Sequence, residues 1–349
     1  MRDTLLRIAF HRGALLIFFI LAISLGTSIA TPLFYSSANL TALFLALSVN
    51  ATVAVGMVIL LISGGFDLSV SSNAALAGVI ASIAFSHGAN TFWAILASLL
   101  VGAFVGMLIG LLIAKLGLNA LVTTLASLGI LRGLVYILTG GTDRTNFPDS
   151  FVVLGQGSLF GMPLPIWFAL LITVIEMILM KNLRFFRRAY FIGGNLKAAR
   201  TLGFNVDRTI ISYYVIAGSL ASLGGLIMTA RVGSATTTAS TGLELAVIAA
   251  VVVGGASLNG GEGSVFGAFL GVLLLTLINN ILGPVEMASN APIRVTWVWQ
   301  QLRELELRAV IKPSNHGKLK GSQGSTTESK FLVVGPPIGF HHLFKLVGS

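Results

Sequence analysis

An acidic residue at a break between two long apolar runs is the first place where this chain could do chemistry. Asp67 follows Gly64-Gly65-Phe66 and precedes Leu68-Ser69. Two glycines followed by an acid and a serine predict a helix break with a cap for the next helix. A charge in a bilayer costs about 2.5–3.5 kcal/mol on insertion scales, so each such residue is a functional candidate. We assign Asp67, Ser69 and Asn73 to a solute pathway, with capping alone as the alternative role of Asp67.

A second polar group lies inside the apolar run 119–139. Thr124 and Ser127 are three residues apart, so their hydroxyl groups share one face of a helix. Such a face suits a sugar, whose hydroxyl groups both donate and accept hydrogen bonds, and Arg132 lies further along the same run. We assign all three residues to the solute pathway. The alternatives are that the hydroxyl groups bond back to their own helix or join helices, and that Arg132 extends to the outer membrane surface.

Several kinds of chemistry are excluded by the residues that the chain lacks. It has no cysteine, no G-x-x-x-x-G-K-[ST] motif and no H-E-x-x-H motif, and its five histidines are scattered. It therefore does not bind ATP in the P-loop manner, and the sequence assigns no catalytic and no metal-binding residues. We expect a protein that is not itself an enzyme.

Composition indicates the environment of these residues. Of the 349 residues, 55% are hydrophobic and only 10% are charged, whereas soluble domains average about 25% charged residues. The formal net charge is +10, but the basic residues lie mostly between apolar runs, so they indicate membrane orientation and not nucleic-acid binding. The 40 glycines suit closely packed membrane helices.

The apolar runs predict an all-α membrane protein, a polytopic helical bundle with about nine spans. A membrane helix needs about 20 mostly apolar residues. The third, sixth and eighth runs are short for a span, as in transporters with interrupted helices. The runs cover residues 13–34, 39–62, 71–86, 92–115, 119–139, 165–180, 210–230, 244–257 and 264–282.

Basic residues give the orientation. Three arginines precede the first run, and the loop 181–208 carries seven basic residues against the single acid Asp207. Basic loops are cytoplasmic, and the even number of six runs between these segments places both on that side. The N-terminus is therefore predicted to be cytoplasmic. The alternative for the first run is a signal peptide cleaved after Ser28-Ile29-Ala30, but the run is long for that role.

The loop 181–208 also predicts a short helix over residues 195–202. Asn195 is a suitable N-cap and Gly203 a suitable residue after the C-terminus. A short basic helix at the inner surface could bind a cytoplasmic partner, or it could lie against anionic lipid. The residues assigned to this partner-binding loop are Gly193, Gly194, Asn195, Ala198, Ala199, Arg200 and Gly203.

Two further features concern packing and charge. Gly102, Gly106 and Gly110 recur every fourth residue, which predicts close contact with a neighbouring helix. Glu176 lies five residues before Lys181, so its carboxylate could reach the inner surface.

Together these motifs resemble the ribose-type family of binding-protein-dependent permeases. The blocks follow the order of that family over roughly residues 40–282. They are Leu61 to Val70, Thr124-Leu125 with Arg132-Gly133 and Leu138 to Gly141, Ile192 to Asn195 with Ala198-Ala199-Arg200 and Gly203, Thr241 to Leu245, Ile248 to Gly255, and Ser257 to Gly261.

The resemblance implies the membrane-spanning permease subunit of an ATP-driven importer in the bacterial inner membrane. It implies about ten helices per subunit, a second permease copy, either identical or a paralogue, a cytoplasmic subunit that binds the ATP, and a periplasmic binding protein. It also implies that the helix at 195–202 is the coupling helix that contacts the ATP-binding subunit. The expected solute is a pentose, a hexose or a related polyol.

Other solutes and another class of transporter stay open. Permeases for nucleosides or branched-chain amino acids belong to the same wider superfamily. An ion-coupled secondary transporter usually needs paired intramembrane carboxylates. The acids Asp67, Glu176 and Glu244 lie far apart in the sequence.

The sequence divides into a permease domain over residues 1–282 and an atypical polar tail over 283–349. In the family the two asparagines, here Asn279-Asn280, lead to an aromatic-Gln-Gln turn and a last span. Trp299-Gln300-Gln301 resembles that turn, but no apolar run long enough to span follows it. We expect the tail to form no transmembrane helix and to be poorly ordered.

The orientation can be tested by labelling a single cysteine, because the chain has none of its own. In the Lys197→Cys variant, a membrane-impermeant maleimide should react in inverted vesicles and not in intact spheroplasts. Labelling from the periplasmic side would reverse the predicted topology.

Overall fold

The computed structural model describes residues 2–30 and 32–282. The tail 283–349, with Trp299-Gln300-Gln301, lies outside the described residues, so its predicted lack of a span stays a prediction. The helices are α1 (Arg2–Ala30), α2 (Ser37–Ile62), α3 (Val70–Ser86), α4 (Thr91–Ala114), α5 (Ala120–Thr139), α6 (Asp149–Gln156), α7 (Leu164–Asn182), α8 (Arg184–Gly194), α9 (Leu196–Thr201), α10 (Val206–Val232), α11 (Leu243–Val253) and α12 (Val265–Leu282). A 3-10 turn covers Pro32–Tyr35, and a small antiparallel hairpin pairs β1 (Ser158–Leu159) with β2 (Met162–Pro163).

These helices confirm the all-α membrane fold. In the described part of the chain, α2, α4, α5, α7 and α10 are long and apolar enough to span a membrane. Shorter apolar helices fill the other four predicted runs, in α1, α3, α11 and α12. The sixth run is not short, because α7 has 19 residues and continues through Lys181. The third and eighth runs are short, with 17 residues in α3 and 11 in α11.

Helix α2 is the centre of the bundle. Its residues 51–62 are buried on every face, as expected for a helix that is apolar all round. It packs against α7, α10, α11 and α12. Ser36 caps its start by accepting a hydrogen bond from the Asn39 amide, and Gly64, with a φ of +83°, follows its end. The chain therefore leaves the core at the break that contains Asp67.

Glycines bring α4 and α10 into backbone contact. A Cβ atom on Gly106 would overlap the carbonyl group of Tyr214, and one on Gly110 would lie 2.9 Å from the Cα atom of Ile211. A Cβ atom on Gly218 of α10 would in turn overlap the carbonyl oxygen of Gly102. The close packing predicted for the glycine stripe is therefore confirmed, and α10 is the helix against which it packs.

Polar side chains also join helices inside the bundle. Asn39 of α2 and Asn280 of α12 exchange two side-chain hydrogen bonds, of 3.2 and 3.1 Å. Ser98 of α4 donates to the carbonyl oxygen of Ala77 in α3 at 2.9 Å. Hydrogen bonds of this kind stabilise helix contacts where lipid offers no polar partner.

The contact between α4 and α10 predicts a loss of stability on adding one methyl group. Gly106→Ala should lower the thermal unfolding midpoint of the detergent-purified protein, because overpacking costs about 1–3 kcal/mol. The matched control is Gly26→Ala in α1, where a Cβ atom meets nothing within 4 Å. Equal midpoints for the two variants, measured by differential scanning fluorimetry, would contradict this packing argument.

Candidate functional site

Asp67 lies just before α3 and keeps one carboxylate oxygen unpartnered. Its Oδ1 atom accepts hydrogen bonds from the Ser69 amide at 2.7 Å and from the Ser69 hydroxyl at 2.6 Å. The side chain is 1% exposed, and its Oδ2 atom is buried without a hydrogen-bond partner. The predicted helix break is confirmed, but the N-cap residue is Ser69 and no side chain caps α3, so Asp67 forms a turn before the helix and not its cap. The unpartnered oxygen is a feature that this turn does not explain.

Burial also changes the acidity of this group, which lies in the loop between α2 and α3. Desolvation raises the pKa of the Asp67 carboxyl to about 6, and the hydrogen bonds from Ser69 offset part of that rise. Beside it, the Tyr214 hydroxyl donates to the Phe66 carbonyl oxygen at 3.0 Å. Asp67 thus changes its charge much nearer to neutral pH than an exposed aspartate does.

Asn73 joins two helices. Its Nδ2 atom donates to the carbonyl oxygen of Gly218 at 3.1 Å, and its Oδ1 atom accepts from the Ser222 hydroxyl at 3.3 Å. Both partners lie on α10, and Asn73 is buried. These bonds fix α3 against α10, so a role of Asn73 in the pathway stays a prediction.

The hydroxyl groups of α5 bond back to their own helix. Thr124 donates to the Ala120 carbonyl oxygen and Ser127 to the Thr123 carbonyl oxygen, each at 2.8 Å. The two side chains lie on the buried side of α5, as their spacing predicts. Back-bonding was the alternative to a pathway role, and the structure favours it for the donated hydrogens; the acceptor lone pairs are not used by these bonds.

Arg132 fixes the segment 233–242 between α10 and α11. Its Nη1 atom donates to the carbonyl oxygens of Thr237 and Ala239, both at 3.0 Å. It is half-buried in these contacts, and its extension to the outer membrane surface stays the alternative. Asp143 assists by accepting a hydrogen bond from the Thr237 amide at 3.1 Å.

Sequence reasoning missed this segment. It contains six Ser and Thr residues between two glycines with positive φ, Gly233 at +72° and Gly242 at +85°. This run of hydroxyl residues between two glycines could have indicated a polar loop inside the bundle. Arg132 contacts the segment between α10 and α11, whereas Asp67 lies in the loop after α2.

The loop 181–208 contains two helices. The predicted short helix is α9, and Asn195 caps it by accepting a hydrogen bond from the Ala198 amide at 2.9 Å. Gly203 follows with a φ of +78°, which confirms its place after the helix end. Helix α8 was missed, although its apolar residues recur at helical spacing and bury Phe186 and Ile192 under exposed arginines.

The assigned loop residues differ in exposure. Ala198 is exposed, but Ala199 is 1% exposed and packs with Ile192 and Val206. Ala199 is therefore part of the loop's own core and unavailable to a partner. Arg200 lies 3.3 Å from Asp207, in an exposed ion pair that orients the end of α9.

Glu176 does not reach the inner surface. It is 3% exposed on the face of α7 that packs in the bundle, and neither carboxylate oxygen has a hydrogen-bond partner in the described residues. The expectation of an extended side chain was wrong. Glu176 shares the buried face of α7 with Ala169, Thr173 and Met180. Its position on the helix therefore decides its burial, although Lys181 is only five residues away.

The described chain is thus a polytopic helical bundle with a structured basic loop between two spans. A family model described as "Branched-chain amino acid transport system / permease component" matches residues 39–301. The chain belongs to this family of transport permeases, as its motifs indicated.

Individual relatives of the chain are also named as transport permeases. The chain is 39% identical to the L-arabinose transport system permease protein AraH of Escherichia coli, over 80% of this chain and 84% of the relative. It is 36% identical to the ribose import permease protein RbsC of Haemophilus influenzae, over 75% and 82%. Identity to the D-allose transport system permease protein AlsC of Escherichia coli is 32%, over 78% and 84%. No solved structure matches the chain.

The raised pKa of Asp67 predicts a pH-dependent effect of Asp67→Asn on stability. Because the folded carboxyl binds its proton more tightly than the unfolded one, the parent loses stability as pH rises from about 4 to about 6. Asparagine has a side-chain oxygen that can accept the same hydrogen bonds from Ser69, and it carries no charge. The variant should therefore unfold at a higher temperature than the parent at pH 7.5, with a smaller difference at pH 5.

The control for this measurement is Asp149→Asn, an exposed acid at the start of α6. If the unfolding temperatures of the Asp67→Asn variant and the parent differ by the same amount at both pH values, burial of the Asp67 charge does not destabilise the parent, and the prediction is wrong.

Proposed function

We propose that this chain is the membrane-spanning permease subunit of an ATP-driven importer that takes up a sugar. The observation that carries the proposal is the identity of 32–39% to permeases named for ribose, L-arabinose and D-allose over at least three quarters of the chain. The family description refers to branched-chain amino acids, but these relatives are sugar permeases. They favour a pentose or hexose over a nucleoside or an amino acid.

The proposal assigns the energy source to a partner. A cytoplasmic subunit binds the ATP, this chain binds no cofactor, and a periplasmic binding protein delivers the sugar. The chain lies in the bacterial inner membrane with its N-terminus and the loop 181–208 in the cytoplasm, as the basic residues favour.

Helix α9 is the proposed docking element for the ATP-binding subunit. Leu196 and Leu202 at its two ends are 43% and 64% exposed, and Phe191 at the end of α8 is 55% exposed. Exposed apolar side chains beside arginines are typical of a protein interface. The folded core under Ala199 holds these side chains in place.

A second permease copy, identical or a paralogue, completes the proposed importer. The outward face of α5 supports it: Ile130 and Ile137 are 71% and 78% exposed, and Cβ atoms on Gly129 and Gly133 would meet nothing within 4 Å. Two glycines spaced four residues apart on an apolar face suit close contact with another membrane helix.

An ion-coupled secondary transporter is the second candidate that we compared. Asp67 lies at the break after α2, Glu176 on the buried face of α7, and Glu244 in the first turn of α11. Within the described residues no group of three or more Asp, Glu or His side chains could hold a cation, which favours the ATP-driven importer.

Reconstitution tests the proposed function. Proteoliposomes that contain this chain with the ATP-binding subunit and binding protein encoded beside it should take up labelled ribose, arabinose or allose when ATP is inside. Uptake of leucine or a nucleoside in place of the sugars would identify another solute. Uptake that persists without ATP and stops when the proton gradient is collapsed would favour the secondary transporter.

The docking proposal predicts a specific weakening. Leu202→Glu should lower the affinity of the purified chain for the ATP-binding subunit by roughly tenfold or more, as a loss of about 1.4 kcal/mol or more would. The control Leu202→Met keeps the apolar surface. Equal affinities of the two variants, measured by biolayer interferometry, would remove this end of α9 from the interface.

A further inference from the structure

Three glycine doublets from three separate segments meet at one point. Gly64-Gly65 follows α2, Gly193-Gly194 ends α8, and Gly260-Gly261 lies between α11 and α12. A Cβ atom on Gly260 would lie 2.9 Å from the Cα atoms of both Gly193 and Gly64. We call Gly64, Gly193, Gly260 and Gly261 the glycine clasp.

Gly193 is the centre of the glycine clasp. A Cβ atom on it would overlap the carbonyl oxygen of Ile62 and would lie 2.5 Å from the amide nitrogen of Gly261. Those two groups are themselves hydrogen-bonded, since the Gly261 amide donates to the Ile62 oxygen at 2.8 Å. Gly193 therefore lies against the bond that joins the end of α2 to the loop between α11 and α12.

Backbone conformation does not explain why residue 193 is glycine. Gly64, Gly260 and Gly261 have φ values of +83°, +83° and +79°, which favour glycine in any case. Gly193 lies in α8, and its φ is not positive. Only the close approach of two other backbones excludes a side chain there.

Two tyrosines reinforce the glycine clasp. Tyr190 of α8 donates from its hydroxyl to the Gly263 carbonyl oxygen at 3.0 Å, which ties α8 to the loop between α11 and α12. Tyr214 of α10 donates to the Phe66 carbonyl oxygen at 3.0 Å, which ties α10 to the loop between α2 and α3. Both loops are therefore held by hydrogen bonds as well as by contact.

One member of the glycine clasp, Gly193, lies just before α9 in the sequence. Only Gly194 separates Gly193 from Asn195, the residue that caps α9. The Asn195 amide also donates to the Phe191 carbonyl oxygen of α8 at 3.1 Å, so a displacement of α9 reaches the end of α8 that contains Gly193. Backbone atoms in contact transmit displacement because packed interiors have low compressibility.

We propose that the glycine clasp is the joint through which movement of α9 shifts the α2–α3 loop and the α11–α12 loop together. This inference rests on the proposed function, because the ATP-binding subunit supplies the movement. Each loop connects two helices, so one displacement reaches α2, α3, α11 and α12 at once. Gly193 is a positioning residue in this proposal and does not contact the sugar.

Substitution of Gly193 tests the joint. Gly193→Ala should reduce the number of sugar molecules taken up per ATP hydrolysed by roughly tenfold, because the added methyl group separates the packed backbones. Binding of the ATP-binding subunit should persist. A purely structural role would lower uptake and hydrolysis in parallel. Gly26→Ala in α1 is the control and should behave as the parent. A folded Gly193→Ala variant with the parent's ratio would overturn the proposal.

A second pair of variants covers the case in which Gly193→Ala does not fold. Tyr190→Phe removes only the hydrogen bond to the α11–α12 loop. Tyr213→Phe removes an equally buried bond, from Tyr213 to the Phe185 carbonyl oxygen at 2.7 Å, which reaches neither loop. Tyr190→Phe should lower the ratio of uptake to hydrolysis and speed hydrogen exchange over residues 257–263, and Tyr213→Phe should do neither. Equal behaviour of the two variants would overturn the proposal.

Hydrogen exchange separates failure of this inference from failure of the proposed function. If the parent complex takes up none of the three sugars, the proposed function fails. Hydrogen-exchange rates in the purified chain still test the glycine clasp in that case. Faster exchange over 257–263 in Tyr190→Phe than in Tyr213→Phe would then support the joint as a physical connection, and equal exchange would overturn it.

Discussion

Direct backbone contact at glycine is the constraint on which the rest of this structure depends. In a membrane, lipid is as apolar as the helix faces, so close packing decides which helices become neighbours. Gly106 and Gly218 place α4 and α10 in contact, and Gly225 of α10 similarly lies against the backbone of Ala74 in α3. Gly254 and Gly267 do the same for α11 and α12. Helices α10, α11 and α12 in turn pack against α2, whose C-terminal half is buried on every side.

Once the helices are this close, buried polar groups either join neighbouring segments or bond back to their own helix. Asn73 and Arg132 bond to neighbouring segments, and the hydroxyl groups of Thr124 and Ser127 bond to their own helix. The carboxylate of Asp67 is only half satisfied, since one oxygen is unpartnered. An unpaired buried oxygen costs free energy in a static structure. Such a group is a better candidate for a role in transport than a fully bonded one.

The end of the bundle that carries the loop 181–208 links three loops that are remote in sequence. Helices α8 and α9 form a small folded unit whose own core includes Ala199, and its exposed apolar side chains face away from that core. Through Gly193, the same unit contacts the start of the α2–α3 loop and the α11–α12 loop. The proposed docking site for the ATP-binding subunit and the breaks between the helices are therefore parts of one connected region.

The sequence by itself determined the features that depend on local chemistry. The nine apolar runs, the cap at Asn195, the turn at Gly203 and the helix break before Asp67 follow from hydropathy and hydrogen-bonding capacity over a few residues. Only the tertiary structure decided that Arg132 binds the 233–242 segment, that Ala199 and Glu176 are buried, and that the three glycine doublets meet. The physical reason is that spans such as α2 are apolar on every face, so their residues do not reveal which face meets lipid and which meets another helix.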